Sequence, residues 1–386
     1  MKEITLVFVA MFFLGCQQKI EKPFLGTENK NPWFFPYFEK VDSLNPILKP
    51  SSERIFIDPI TGNSIAWEER NVLNPTAVVK GDSLYLLYRA QDSLGTSRIG
   101  MAVSADGLHF QKKASPVFFP QNDSMKIYEW NYRKSDLRQE NYESCVSCYF
   151  DGVEDPRIVS SEDGTYFMTY TSYDGKTARL SIASSTDLKH WQKHGLVLSD
   201  AKYKDVWSKS GAIVSALVGN QMVAQKIDGK YWMYFGDTQL FIAFSEDLIH
   251  WTVAENEENG QKISVLHPRP GYFDSRLVEP GPYALLKEEG ILLIYNASNA
   301  ANFNDPNLPK FTYAAGQALF DKSQPYKLID RTDDYFIYPN KDYEKVGEVN
   351  EVCFVEGLVF FKNTWFLYYG TADSKIAVAI YQPNKN

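Results

Sequence analysis

Cysteine is scarce in this chain, with four residues in 386. Two of them form a lone CxxC, Cys145-Val-Ser-Cys148, and no second CxxC or nearby histidine pair completes a zinc site. No metal is therefore expected, and the pair reads as a local disulfide or two free thiols. A cationic stripe is also missing. The net charge is -8, and lysine and arginine are not gathered into a row, which argues against a nucleic-acid partner. Long apolar runs are absent too. The one candidate, ITLVFVAMFFLG after Lys2, is too short to span a bilayer comfortably. Nor does any stretch of length carry the 3.6-residue period of a helix.

Aromatic residues are present in quantity: 15% of the chain, with 24 Tyr, 25 Phe and 8 Trp. They supply a large core and also flat surfaces on which sugars stack. The N-terminal apolar run fits the h-region of a signal peptide. Its end, FLGC, looks like a bacterial lipobox, with Cys16 as the lipidated first residue of the mature chain; the other reading is a buried strand. The polar segment QQKIEK follows at once, as a tether would. The expected organisation is a signal peptide at 1–15, a tether and N-terminal extension at 16–50, and one domain at 51–386. A lipid on Cys16 would hold that domain to a membrane outside the cytosol.

The chain repeats itself. One element is a strand rich in Tyr and aliphatics after a turn: GDSLYLLYRA (81–90), DGTYFMTYTS (163–172), DGKYWMYFGD (228–237), EGILLIYNAS (289–298) and KNTWFLYYGT (362–371). A second follows each: IGMAVSADGLHF (99–110), LSIASSTDLKHW (180–191), FIAFSEDLIHW (241–251), and the weaker AAGQALFD (314–321) and KIAVAIYQ (375–382). A strand, then Ser-x-Asp in a turn, then an aromatic is a hairpin signature. Five such units, none able to bury both faces alone, predict an all-β five-bladed β-propeller. Read as the inner strand of each blade, facing the central channel, the repeats lead into Arg89, Ser172, Asp237, Asn296 and Asp373, equivalent positions with different chemistry. Trp191 and Trp251 end outer hairpins and read as packing residues.

One turn concentrates charge. In VEDPRI (153–158), Pro156 biases Asp155 toward an extended backbone, and Arg157 can hold Glu154 or Asp155 in a charge-assisted pair. Alone, this is equally a structural salt bridge. The chain also carries Asn74-Pro75-Thr76, Tyr88-Arg89, Ser97-Arg98-Ile99-Gly100, Lys209-Ser210-Gly211 and Gly370-Thr371-Ala372-Asp373. This order closely resembles glycoside hydrolase family 130, the β-mannoside phosphorylases and β-1,2-mannosidases, over roughly residues 65–382. The resemblance implies a five-bladed propeller acting on β-mannoside oligosaccharides. It implies that Asp155 is the proton donor, acting through a hydroxyl of the mannose, and that Asn74, Arg89 and Asp373 hold that sugar. Arg98 and Lys209 match family positions near it. No cofactor is implied.

Hydrolase or phosphorylase is decided by the acceptor. Phosphate needs cations and histidine. The family's phosphorylases carry Tyr-His-Gly on the fourth repeat, where this chain has Tyr295-Asn296-Ala297. Two acids stand instead at plausible places, Asp237 and Glu279. The family's mannosidases use carboxylates there to activate water, although they usually have Glu where this chain has Asp237. The expectation is an inverting, exo-acting β-mannosidase, most simply β-1,2-specific. Asp155, Glu279 and Asp237 are its catalytic residues, with Glu279 first choice as base; Asn74, Arg89, Arg98, Arg157, Lys209, Asn296 and Asp373 bind substrate. The alternatives are a mannoside phosphorylase and a non-catalytic glycan-binding lipoprotein. A Tyr-rich stretch with Trp130, residues 121–152, is longer than the family's usual link and is expected at the funnel rim.

Overall fold

The computed structural model describes residues 33–136 and 149–383. Cys16, Cys145 and Cys148 lie outside these, so the lipid anchor and the CxxC pairing are not addressed by it. Cys353 is buried and free. The described chain is nearly all strand. Its helical pieces are two four-residue turns, Lys126–Glu129 and Asp342–Lys345, and a 3-10 turn at Tyr132–Asp136.

Most strands fall into five antiparallel groups among the described residues, and Ser51–Ile57 with Ser64–Glu68 forms a separate two-stranded sheet. Sheet I orders Asn71–Lys80, Ser83–Gln91, Thr96–Ser104 and Gln111–Lys112. Sheet II orders Asp151–Ser160, Tyr166–Tyr173, Ala178–Ser185 and Gln192–Leu196. Sheet III orders Ala212–Val218, Lys230–Phe235, Leu240–Ser245 and Trp251–Val253. Sheet IV begins with an interrupted strand, Leu277–Pro280 then Ala284–Leu286, followed by Ile291–Ser298, Tyr313–Phe320 and Leu328–Arg331. Sheet V orders Cys353–Phe361, Thr364–Thr371, Lys375–Tyr381 and, from the other end of the chain, Glu39–Lys40.

The five Tyr-rich repeats are the second strands of these sheets, and each pairs with the second repeated element as expected. The Ser-x-Asp turns explain the repetition. Ser104, Ser185 and Ser245 each accept the backbone N–H three residues on, while Asp106, Asp187 and Asp247 each accept two backbone N–H groups and face a histidine Nδ1. Such local capping organises a turn without tertiary help. Trp191 and Trp251 donate their indole N–H into these turns, at Leu188 O and Leu248 O, as packing residues do.

Two expectations need correction. The body begins before residue 51: the chain from Trp33 onward forms one compact unit. Phe35 and Phe38 join the core, and Glu39 and Lys40 pair with Ile380 and Ala379. Lys40 is buried and anchored on Glu344 at 2.7 Å, so residues 33–50 are structure rather than tether. Second, the strands that meet between sheets are not the Tyr-rich repeats but those preceding them. Asn71–Lys80 packs against both Asp151–Ser160 and Cys353–Phe361.

Candidate active site

Those preceding strands share a device. A polar residue followed by proline or glycine sits at a break in the strand or just ahead of it: Asn74-Pro75, Asp155-Pro156, Ser210-Gly211, Glu279-Pro280 and Glu356-Gly357. In sheets I, II and V the break is a register shift, between Leu73 and Pro75, Glu154 and Arg157, and Val355 and Gly357. A bulge adds one residue, bends the strand and re-aims a side chain. Asn74, Asp155 and Ser210 carry positive φ, at 47°, 49° and 54°. Side chains rarely tolerate that region, and such strain concentrates at functional sites. All five polar residues are buried. They touch one another in part: Asn74 Nδ2 donates to Asp155 Oδ1 at 2.9 Å, and Ser210 Oγ donates to Glu279 Oε1.

Three cations serve this cluster. Arg89 reaches Glu154 at 2.7 Å and Asp155 at 3.3 Å. Lys209 lies 3.6 Å from Asp155 Oδ2 and also feels Glu279 and Glu154. The ion pair of Arg157 with Glu154 or Asp155 expected from sequence is not formed; its carboxylate partner is Glu356. Arg157 donates to the carbonyls of Gly281, Asp155 and Pro280, at 2.6, 3.1 and 2.8 Å. Its Nη2 lies 2.8 Å from Glu356 Oε1, yet both oxygens of Glu356 lack a hydrogen-bond partner. Asn74 Oδ1 is likewise unpartnered.

The charges divide. Burial pushes Asp155 up, but Arg89, Lys209 and Arg157 outweigh it and hold the carboxyl below the usual range. Burial pushes Glu279 up to about 7, against Lys209 and with help from Asp237. Burial also raises Asp373 to about 6, with Arg89 opposing and Asp155 adding, and it raises Glu154 and Glu356. Asp155 is thus the carboxyl held below the usual range, while its acidic neighbours are raised.

The structure brings together Asn74, Arg89, Asp155, Arg157, Lys209 and Glu279 of the expected residues. Asp373, half-buried with φ 49°, joins them through Arg89. Asp237 stands at the edge, half-buried, accepting from Trp207 Nε1 and felt by Glu279. Two residues do not belong. Arg98 is 1% exposed and bridges Asp58 at 2.6 Å and Asp92 at 2.8 Å. It pairs across from Ala90, not Arg89, and successive residues of a strand face opposite ways. Asn296 donates to Val355 O at 2.9 Å and accepts from Val355 N at 2.7 Å, so its amide ties sheet IV to sheet V. Asn296→Ala therefore lowers stability by about 2 kcal/mol through the two stranded backbone groups, while KM stays within a factor of about two. A KM rise without loss of thermal stability would return Asn296 to the sugar. The sequence reading missed Ser210 and Glu356. The signal was present as the polar-then-Pro/Gly dipeptide ahead of every repeat.

Residues 43–385 match a family model described as beta-1,4-mannooligosaccharide phosphorylase. The chain belongs to glycoside hydrolase family 130. Among relatives, a 1,2-beta-oligomannan phosphorylase of Thermoanaerobacter sp. is 30% identical over 345 residues, 86% of this chain and 96% of that one. A glycosyl hydrolase structure from Bacteroides ovatus is 42% identical, with a TM-score of 0.84 over 92% of this chain and 97% of that one. Another family 130 structure, 40% identical with a TM-score of 0.85, covers 92% of this chain and 96% of its own. It is described as showing that the family's mannoside phosphorylases include glycoside hydrolases that target beta-1,2 mannosidic linkages in Candida mannan. Those relatives are mannoside phosphorylases and mannoside hydrolases by description.

Proposed function

We propose that this family 130 protein hydrolyses β-mannosides, with β-1,2 linkages as its target and inversion at the anomeric carbon. The five sheets are read as the blades of a β-propeller whose first strands face the axis. The observation that carries the hydrolytic reading is Glu279: a buried carboxylate, set by Ser210, with its proton affinity near neutrality. A general base works best when its pKa lies near the operating pH. The described hydrolases of Candida mannan are also more similar to this chain than the phosphorylase of Thermoanaerobacter. A second reading, phosphorolysis, is favoured by the names of the curated relatives and by Arg89 and Lys209. Against it stand six acidic side chains around three cations, and an Asn296 whose amide is tied to the Val355 backbone.

In the proposed reaction Asn74, Arg89 and Asp373 hold the mannose. Asp155 passes a proton through a mannose hydroxyl to the leaving oxygen, and Glu279 takes one from water attacking the opposite face. With Asp155 ionised and Glu279 prone to carry a proton, the unliganded protein rests in the protonation state that follows turnover. A lipid anchor at Cys16 stays part of the proposal on its sequence pattern alone.

The test is incubation with β-1,2-mannobiose with and without phosphate. Mannose should appear in both, first as the α-anomer; a strict phosphate requirement with mannose 1-phosphate as product would establish phosphorolysis instead. The base also fixes the pH dependence. The active form carries a proton on Asp155 and none on Glu279, the reverse of their affinities, so kcat/KM is flat on the acid side of about 7 and falls about tenfold per pH unit above it. A profile that instead rises through 7 would remove Asp155 from the role of acid.

A further inference from the structure

A cavity of about 560 Å³ opens where the outermost strand of sheet I, Gln111–Lys112, meets the N-terminal segment at residues 46–49. None of the residues assigned above to catalysis or to the mannose lines it. Ligand sites usually fall in the range of about 300–1,000 Å³. One wall is apolar, with Pro46, Ile47 and the ring of Phe110, which Tyr368 holds edge-on at 86° with centroids 5.8 Å apart. The other wall is cationic. Lys49, Arg54 and Lys112 line it, and among the described residues no carboxylate does.

A single carboxylate stands behind this wall. Glu68 is fully buried: its Oε1 takes Lys112 Nζ at 2.9 Å and lies 3.0 Å from Arg54 Nε, while its Oε2 accepts from Tyr88 OH at 2.8 Å. Two cations thus crowd one oxygen. Burial pushes the Lys112 ammonium below its usual range, Glu68 opposes this, and the charge of Arg54 adds to it. The Arg54 guanidinium makes no hydrogen bond among the described residues, although its side chain is only 31% exposed. An arginine carries five donors in a fixed fork, so its recognition capacity is unspent. Lys49 is exposed and has no ion-pair partner among the described residues. Three positive charges against one negative leave an excess of two, in a chain whose net charge is -8.

We propose that this cavity binds a phosphate monoester of a sugar, with Arg54 as the anchor and Lys49 and Lys112 as flanking cations. An excess of two charges matches a dianion; a carboxylate would leave one cation uncompensated. The guanidinium fork fits two phosphate oxygens at once, and an anion placed there relieves the repulsion between Arg54 and Lys112. Phosphate alone would leave most of the cavity empty. The C–H face of a pyranose fills it against Phe110 and Ile47, and Gln111 offers an amide to the hydroxyls. The site stands apart from the choice between hydrolysis and phosphorolysis, because neither Asp155 nor Glu279 takes part in it.

The test is calorimetric titration of the full chain with mannose 6-phosphate at low ionic strength. One site per chain is expected. Lys49→Ala and Arg54→Gln each weaken it about tenfold or more, and Lys209→Ala, which removes a cation from the catalytic cluster, leaves it unchanged. Lys49 is exposed and unpaired, so its variant keeps the fold and decides the matter should Arg54→Gln fail to fold around the buried Glu68. Glycerol 3-phosphate carries the same dianion on the headgroup unit of a lipid. It should bind more weakly; equal or tighter binding gives the site to a lipid and overturns the sugar. Absent binding, or binding indifferent to Lys49→Ala, overturns the proposal altogether. Loss in Lys209→Ala instead would put the phosphate among the catalytic cations, in favour of phosphorolysis.

Discussion

Asp155→Asn lowers turnover of β-1,2-mannobiose by about 10²–10⁴-fold, the usual worth of a general acid, and leaves the fold intact. The geometry explains both halves. Asn tolerates the positive φ of 49° that this bulge requires, and Arg89 keeps its 2.7 Å contact with Glu154. An amide at the same place can still accept from Asn74, but it has no proton to pass on. Lys209 loses its nearest carboxylate and turns its charge on Glu279, so the pH limb of any residual activity moves to lower pH. Turnover and a melting curve on the same preparation check this. Near wild-type turnover would return Asp155 to the role of a structural ion-pair partner.

Glu279→Gln has the other large effect, and it acts on two quantities in opposite directions. Hydrolysis is abolished, because the amide cannot take a proton from water. Stability changes with pH. Burial raises the Glu279 pKa from about 4.5 to about 7, so the native state prefers the neutral acid. Its contribution is fully present below pH 4.5 and is lost as pH rises through 7. Gln never ionises and never incurs that loss. The variant should therefore match wild type at pH 5 and exceed it at pH 8, by an amount on the order of 1–3 kcal/mol. Melting curves at the two pH values read it directly. A variant less stable than wild type at pH 8 would show that the ionised carboxylate is well solvated or fully paired.

Much of this was legible from the residues. The Tyr-rich repeats and the Ser-x-Asp turns are periodic signals, and local hydrogen bonds generate them, so they survive without any knowledge of packing. Asp155 was legible for a different reason, charge packed tightly beside proline; Arg89 came from the end of a repeat, and Lys209 from the family resemblance. What failed depended on facing. Arg98 lies one ladder step from Arg89, and the pleat sends it to the opposite side, onto Asp58 and Asp92. Asn296 stands across from Glu279 in register, but the neighbouring sheet claims its amide. Glu356 was invisible because CFVEGLVFF reads as a buried apolar strand with one misplaced acid. Its meaning appears only when five separate strands are laid side by side.

The pairing of Glu39 and Lys40 with Ile380 and Ala379 bears on how the molecule is made. The first strand of the body has no partner until nearly the last residue has been synthesised. At about 5–20 residues per second, that wait is on the order of tens of seconds. Until then Phe35 and Phe38 have no core to enter, and the third strand of sheet V, once formed, shows bare N–H and C=O groups to its surroundings. An open edge of that kind recruits other strands. Trimming the chain at residue 41 and trimming it at residue 374 therefore create one shared defect, an incomplete last sheet, and both shortened proteins should form aggregates in which neighbouring molecules complete each other's edge.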